Sequence, residues 1–423
     1  MSSLRSWLGF APKFDFSKAR SLGACVGVVL VLLIGSLFAL AVIAAFKVLG
    51  TSLFGDLPQG ASASFGLTSI IVAMIGAPFV IWRTMVAQKQ TDVAEQGMIT
   101  ERIMKAVEGL GAEKLIKDDK DERNVPNVEV RIGAIYSLER IAQDSKRDHI
   151  QIVEILCAYV RNNCGSIKTV TSSDVEIAMM VLGRRSQERI AYEKRSGFKL
   201  DLEGSNFCMM NLKELDFSQG LFSQTAWFGC KLTGNTFSEC DFSHCEIEES
   251  NIEENSFEAA NFEGSKLNAS TFESNSFEAV RLNGSQILLS SFWRDLFQHA
   301  DLTNAFLFGI KLWSNSFLGG VVFNAEIQKS EIVHANFSGL QFKTLKLDDE
   351  TDFSGCNFRG AAMHNCDLSK YSGIGHDFEG AYIHTNCRLS TSLTRSIIVG
   401  QGDFYSEWAS HQASIGYDPE HPQ

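Results

Sequence analysis

Residues 250–285 read SNIEENSFEAANFEGSKLNASTFESNSFEAVRLNGS, and two periods show in them at once. Ile252, Phe257, Phe262, Leu267, Phe272, Phe277 and Leu282 place a large apolar residue at every fifth position, and 250–265 is copied at 270–285. Helices repeat at 3.6 residues and strands at 2.0, so neither accounts for a period of five. Outward from this stretch the spacing runs without a miss from Leu202 to Leu347. At every fourth of these positions stand Phe217, Phe237, Phe257, Phe277, Phe297, Phe317 and Phe337. Two residues before most of them come Asn235, Asn255, Asn275 and Asn315, with Asp295 as the one acidic substitute. A chain repeating at five and again at twenty coils with four short faces per turn, each Phe lying on the Phe of the next coil and each Asn on the next Asn. It is a solenoid.

This pattern resembles the pentapeptide-repeat family, in which a central Leu or Phe and a small residue two before it both point inward. The small position is filled here by Ser205, Cys230, Cys240, Cys245, Ala260, Ser265, Ser270, Ala300, Ala305 and Ala325. The resemblance covers about half the chain and implies a right-handed quadrilateral β-helix. With coils about 4.8 Å apart, the unbroken part is a rod on the order of 36 Å long. Buried amides of the Asn ladder must bond one another, because an unpaired one costs about as much as burying a central side chain gains. At Asp352 the register slips by one and resumes at Phe353, Phe358, Met363 and Leu368, and Phe378 and Ile383 are expected to form the last coil.

The 423 residues carry a net charge of −12, and 200–390 hold 26 acidic against 12 basic residues, so the solenoid accounts for the whole excess. Five of the ten cysteines, Cys230, Cys240, Cys245, Cys356 and Cys366, take the small inward position, and no two of these are twenty residues apart. Stacked disulfides are not expected, and free thiols used as small hydrophobes suit a reducing compartment. The chain has no GxxxxGK[ST] loop, GxSxG elbow, HExxH or paired CxxC. No catalytic residue, cofactor or metal is therefore expected. His364, His376 and His384 lie near Cys356, Cys366 and Cys387, but inward cysteines on different faces and outward histidines make a poor ligand set. Asp295, charged at an inward position, is read as accepting hydrogen bonds from the Asn ladder.

Ahead of the rod two further regions are expected. Residues 21–46 contain no charge, and at 1.5 Å per residue they exceed the roughly 30 Å of a bilayer core. A second apolar run spans 65–82. Arg5, Lys13, Lys18 and Arg20 before the first run, and Arg83 and Lys89 after the second, place both ends in the cytoplasm by the positive-inside rule. Residues 83–111 read as a helix continuing from the second span, 114–123 as a charged, solvated loop, and 130–145, 149–163 and 173–185 as amphipathic helices that cap the first coil. This stretch resembles the segment before the repeats in membrane-anchored bacterial pentapeptide-repeat proteins. The expected fold class is thus α plus β-solenoid: a cytoplasmic N-terminus (1–20), a two-span transmembrane hairpin (21–82), a helical connector and cap (83–196), the β-helix (197–390) and a tail (391–423), at the inner membrane of a bacterium with both termini and the β-helix cytoplasmic.

Two features of the outer surface follow from the twenty-residue step. Glu253 stacks on Glu273 and Glu258 on Glu278, forming an acidic face. Trp293, Trp313 and Val333 each follow a central residue and so point outward in one column, and Leu288 and Phe308 do so on the neighbouring face. A contiguous apolar patch of this kind is rarely left bare, so it is the expected interface, covered by a protein partner, a second copy or the tail with Phe404, Tyr405, Trp408 and Ile415. The preferred function is a non-enzymatic, membrane-tethered scaffold for protein–protein interaction. The alternatives are the DNA-mimic modulation of topoisomerases that the family resemblance implies, and a membrane effector whose hairpin answers a signal sensed by the soluble region. Direct nucleic-acid binding is not expected.

Overall fold

The computed structural model describes residues 61–118, 121–166, 168–369, 378, 381–389 and 398–400, with isolated positions between 35 and 47 and at 410. The chain divides into two compact units, 1–99 and 100–423. Helix α1 (Ala61–Leu110) contains the second expected span and the helix expected to follow it. The first expected span lies almost wholly outside the described residues, and the N-terminus and most of the tail do as well. Among the described residues, no helix is long and apolar enough to cross a membrane.

In the second unit the expected loop at 114–123 is instead an antiparallel hairpin, β1 (Glu113–Asp118) and β2 (Asp121–Pro126). Its pairing rests on backbone hydrogen bonds, which charged residues can supply as well as apolar ones. The charges remain in water, where Lys117 meets Glu122 across the strands at 2.7 Å and Lys114 meets Glu129 at 3.1 Å. Three helices follow as their periodicity predicts: α2 (Val128–Asp144), α3 (His149–Asn163) and α4 (Ser173–Gly183). A fourth, α5 (Gln187–Ser196), is added by the structure. It has few apolar residues and buries only Glu193, so apolar periodicity could not announce it. Ile135, Leu138, Ile152, Leu156, Val175, Met179 and Leu182 form the core of this helical layer. One polar knot lies beside them: Asp174 accepts a hydrogen bond from Tyr159 Oη at 2.5 Å and lies 3.6 Å from Arg131, tying α4 to α3 and α2.

The helices cap the rod. An open end of a solenoid exposes unpaired strand edges, and here the first coil is bonded from the cap. Asp216 N–H donates to Gly183 O at 2.7 Å, Thr171 N–H donates to Cys208 O at 3.1 Å, and Asn211 N–H donates to Glu176 Oε1 at 3.0 Å. At Gly183 an added Cβ would lie 2.6 Å from Leu215 and 2.8 Å from Phe217, so α4 sits directly on the ladder.

The rod is right-handed and its strands are parallel. One eight-stranded sheet runs from Asn211–Lys213 to Asp352–Ser354, a second from Asn206–Cys208 to Lys346–Leu347, and a five-stranded sheet runs from Val321–Phe323 to Ile398–Gly400. Neighbours pair twenty residues apart, as Phe272 does with Ile252 and Phe292. Across the slip the step becomes 21, and Ile332 pairs with Phe353. The stack does not end with Ile383, because Tyr382–His384 pairs with a further strand, Ile398–Gly400. Each pentapeptide turns its corner through one residue of positive φ, every fifth position from Gly204 to Thr344. Most of these are not glycine. The left-handed region costs an L-residue roughly 1 to 2 kcal/mol, and the ladder offsets this by bonding the corner amides, as when Leu289 N–H donates to Phe308 O at 2.8 Å.

Inside, the rings of Phe217, Phe237, Phe257, Phe277, Phe297, Phe317 and Phe337 stack 4.7 to 5.3 Å apart, and the column continues across the slip through Phe358. The Asn ladder runs beside it. Asn235, Asn255, Asn275 and Asn315 each accept from a backbone N–H one coil below and donate through Nδ2 to the carbonyls of Leu212, Leu232, Ile252 and Phe292. The polar groups of these side chains are met chiefly by backbone of the coil below, with Asn235 and Asn255 donating also to the Asn oxygen of the next coil.

Candidate functional site

A solenoid with a filled interior can act only through its outside. The outward side chains of each strand form columns, because a parallel ladder puts equivalent residues in register. In one eight-stranded sheet the register sets Glu253 beside Glu273, Glu273 beside Trp293, Trp293 beside Trp313 and Trp313 beside Val333. The acidic and aromatic features expected separately are therefore one column on one face. On the adjoining face Leu288 pairs with Phe308. Glu258 and Glu278 continue the acidic part round the other edge, coupled through the Ala259 N–H to Glu278 O bond of 2.8 Å.

The two indoles lie 4.7 Å apart at 35°, and Trp293 remains 37% exposed. Trp313 is half-buried, and its Nε1 has no partner among the described residues. Leu289, 60% exposed, occupies the corner between the two faces and joins Leu288 to Trp293. It lies across Gly309, where an added Cβ would stand 2.8 Å from its Cδ2, so the glycine makes room for it. As a corner residue Leu289 belongs to neither the inward nor the outward positions that the five-residue period marks. Leu296, 44% exposed and just before the central Phe297, extends the apolar surface past the other corner at Arg294. Cations edge the patch, with Lys329 Nζ 5.9 Å from the Phe308 ring and Arg294 paired with Glu273. Arg294 thus neutralises one charge where acid gives way to aromatic.

Beneath this face lies Asp295, fully buried. Its Oδ1 does what an asparagine oxygen does at this site, accepting from Asn275 N–H at 2.7 Å and Asn275 Nδ2 at 2.9 Å. Its Oδ2 occupies the place of an amide nitrogen and is unpartnered among the described residues. Burial pushes the carboxyl up to about 7 against the bonds from Asn275, with Glu273 adding to the rise. Burial likewise raises the thiols of Cys240, Cys245 and Cys356, and that of Cys230 to about 12. Cys366 and Cys387 do come together, 21 residues apart because one more residue enters the coil after Ile383, with Cys366 N–H donating to Cys387 Sγ at 3.4 Å. Counting in twenties could not find that pair. The rings of His364 and His384 stack 4.7 Å apart beside it. Cys230, Cys240 and Cys245 remain buried free thiols, and Cys356 is buried as they are.

Strand register, corner geometry and inward ladder together decide the architecture, and the Pentapeptide repeats family model matches the chain in eight copies, with residues 349–370 as the matched span. The rod is built of pentapeptide repeats. Among solved structures, the chain is similar to HetL, a pentapeptide repeat protein involved in heterocyst differentiation regulation in the cyanobacterium Nostoc sp. strain PCC 7120, at 18% identity over 52% of this chain and 100% of that one, TM-score 0.23. It is also similar to full-length QnrB1, a plasmid-mediated fluoroquinolone resistance protein, at 16% over 50% and 100%, TM-score 0.24. A third is the pentapeptide repeat protein Rfr23 of the cyanobacterium Cyanothece 51142, at 12% over 40% and 99%, TM-score 0.16. These likenesses carry no weight on function. No curated protein matches the chain.

Proposed function

We propose that this pentapeptide-repeat chain is a non-enzymatic scaffold, tethered to a membrane by the apolar segments 21–46 and 65–82, whose rod presents one face to a protein partner. The stacked, outward Trp293–Trp313 pair carries the reading. Large aromatic residues concentrate binding energy where they are partly desolvated and ringed by other contacts, and here Leu288, Leu289 and Phe308 provide the ring. Because acid and aromatic share a column, the partner surface that fits is apolar with basic residues to one side, from a second copy or another protein. Changing Trp293 and Trp313 together to serine should lower the mass of the assembly extracted in mild detergent, measured by light scattering, while the circular dichroism of the rod stays unchanged. An unchanged mass and unchanged co-purifying protein would defeat the proposal. For the tether, the intact chain should stay in the membrane pellet through alkaline carbonate extraction, and release would remove that part of it.

The acidic stack favours a second reading, DNA-mimic modulation of a topoisomerase. Like charges on Glu253 and Glu273, and on Glu258 and Glu278, are held about 5 Å apart by the coil spacing, much as phosphates repeat along a duplex. Changing all four to glutamine should abolish a salt-sensitive effect on gyrase supercoiling if this reading holds. No effect of the unaltered protein on supercoiling at high excess would dispose of it.

A further inference from the structure

The helical cap holds a cavity that its role in closing the rod does not require. It lies among α2, α3, α4 and α5 and has a volume of about 290 Å³, near the lower end of small-molecule pockets, which run from about 300 Å³ upward. Part of the wall is apolar, from Val153, Leu156 and Leu182. The remainder is mostly polar, with three arginines, Arg184, Arg185 and Arg189, against one carboxylate, Glu139, and with His149, Gln143 and Ser186 between them.

The charges are unevenly compensated. Arg184 forks onto Glu139 at 2.5 and 2.6 Å. Arg185, its side chain 5% exposed, bonds Glu193 Oε2 at 2.8 Å, and His149, 2% exposed, shares the same carboxylate through Nε2 at 2.6 Å. Arg189 has no carboxylate partner among the described residues. Its one side-chain bond runs from NH2 to Gln143 O at 2.7 Å.

Three buried nitrogens on this wall lack partners among the described residues: His149 Nδ1, Arg185 Nε and Arg189 NH1. Native proteins leave few such groups unbonded, and the two arginine nitrogens, which can only donate, call for an acceptor. Helix α5 adds to the field. Ser186 lines the cavity and is the N-cap of that ten-residue helix, whose N-terminus favours negative charge.

We infer that this cavity is a binding site for a small organic oxyanion, a carboxylate or phosphate group on an apolar body, with Arg189 as its principal charge partner and Arg185 as a further donor. Val153, Leu156 and Leu182 hold the apolar body. Arg185 also donates through NH2 to Asp216 O in the first coil at 3.2 Å, so an occupant would touch a residue that joins cap to rod. The inference stands apart from the scaffold reading and can fail without it.

The full-length chain, titrated with benzoate, phenyl phosphate and the neutral benzyl alcohol, tests this by calorimetry and ligand-observed NMR. Saturable binding is expected for at least one of the two anions, and which one binds distinguishes carboxylate from phosphate. Arg189→Met should weaken that binding by roughly tenfold or more with unchanged circular dichroism. If Arg189→Met misfolds, Arg189→Lys replaces it, retaining the charge but losing the fork, with a smaller loss expected. Benzyl alcohol binding as well as the anions, anion binding unchanged by either Arg189 substitution, or no binding of any probe at about 10 mM, a concentration at which a millimolar site is mostly filled, would overturn it.

Discussion

The rod and its cap, both in the second compact unit, solve the problem of buried polarity in opposite ways. In the rod each inward Asn is satisfied by repeating backbone and side-chain groups of the neighbouring coils, and the aromatic column fills the remaining space. Repetition leaves the interior nothing specific to do. In the cap no element repeats another, and Arg185, Glu193 and His149 are buried together beside a cavity with unbonded nitrogens. A periodic core puts specificity on the outside of the molecule, and an aperiodic one can hold it within. Asp295 is the exception that proves informative, the one rung of the Asn ladder where a titratable group interrupts the repeat.

The sharpest way to break the comparison is to damage each region by its own mechanism. Phe277→Ala removes a ring stacked between Phe257 and Phe297 and should cost about 3 to 5 kcal/mol through transfer and cavity terms, read as a lower midpoint for loss of β signal in denaturant. Glu193→Ala leaves Arg185 and His149 without their shared carboxylate. Breaking a buried pair costs roughly 3 to 5 kcal/mol, and here the loss should fall on the helical signal while the β signal keeps its midpoint. Loss of both signals together in both variants would mean that cap and rod are one cooperative unit.

Asp295 gives a smaller effect whose sign follows from its raised folded-state value. The unfolded carboxyl titrates near 4, so its contribution to stability is complete below about pH 4, falls as pH rises toward about 7, and stays lost above. The full swing is on the order of 4 kcal/mol. Asp295→Asn restores the rung, since its Nδ2 would reach the Phe272 carbonyl by the step that takes Asn315 to Phe292. The variant should match the wild-type protein near pH 4.5 and exceed it by roughly 2 to 4 kcal/mol at pH 8, measured by urea denaturation at both values. Equal pH dependence of the two proteins would show that the unpartnered oxygen is not destabilising. The smallest expected change belongs to the outer face. Trp293→Ser with Trp313→Ser should shift stability by little more than about 0.5 kcal/mol per site, and a larger loss would mean that the column supports the fold instead of serving a partner.

How much of this was legible in the sequence depends on the same contrast. The ladders of Phe and Asn, the slip at Asp352 and the outward direction of Trp293 were readable because a twenty-residue step fixes both neighbour and facing. The joining of Glu273 to Trp293 in one column follows from that step too, although composition alone divides the surface into acidic and apolar parts. Leu289 at a corner and Leu296 ahead of a central Phe lie at positions that the outward residue following each central one does not mark. In the cap, the 3.6-residue period located α2, α3 and α4, whereas α5 has no apolar stripe to find. The hairpin at 113–126 was hidden by its charge, since strand pairing is a property of backbone register and the side chains there stay in water. The meeting of His149, on α3, with Glu193, on α5, is tertiary and has no local signature.

The claim that the aromatic column is where this rod meets a protein is tested most directly by a photo-crosslinking residue placed in the full-length chain in cells. Position 313 would carry it in one experiment and position 303, two faces further round the same coil, in the other. The account predicts a discrete crosslinked adduct from 313 and none from 303. Adducts of equal yield from both positions, or from 303 alone, would contradict it.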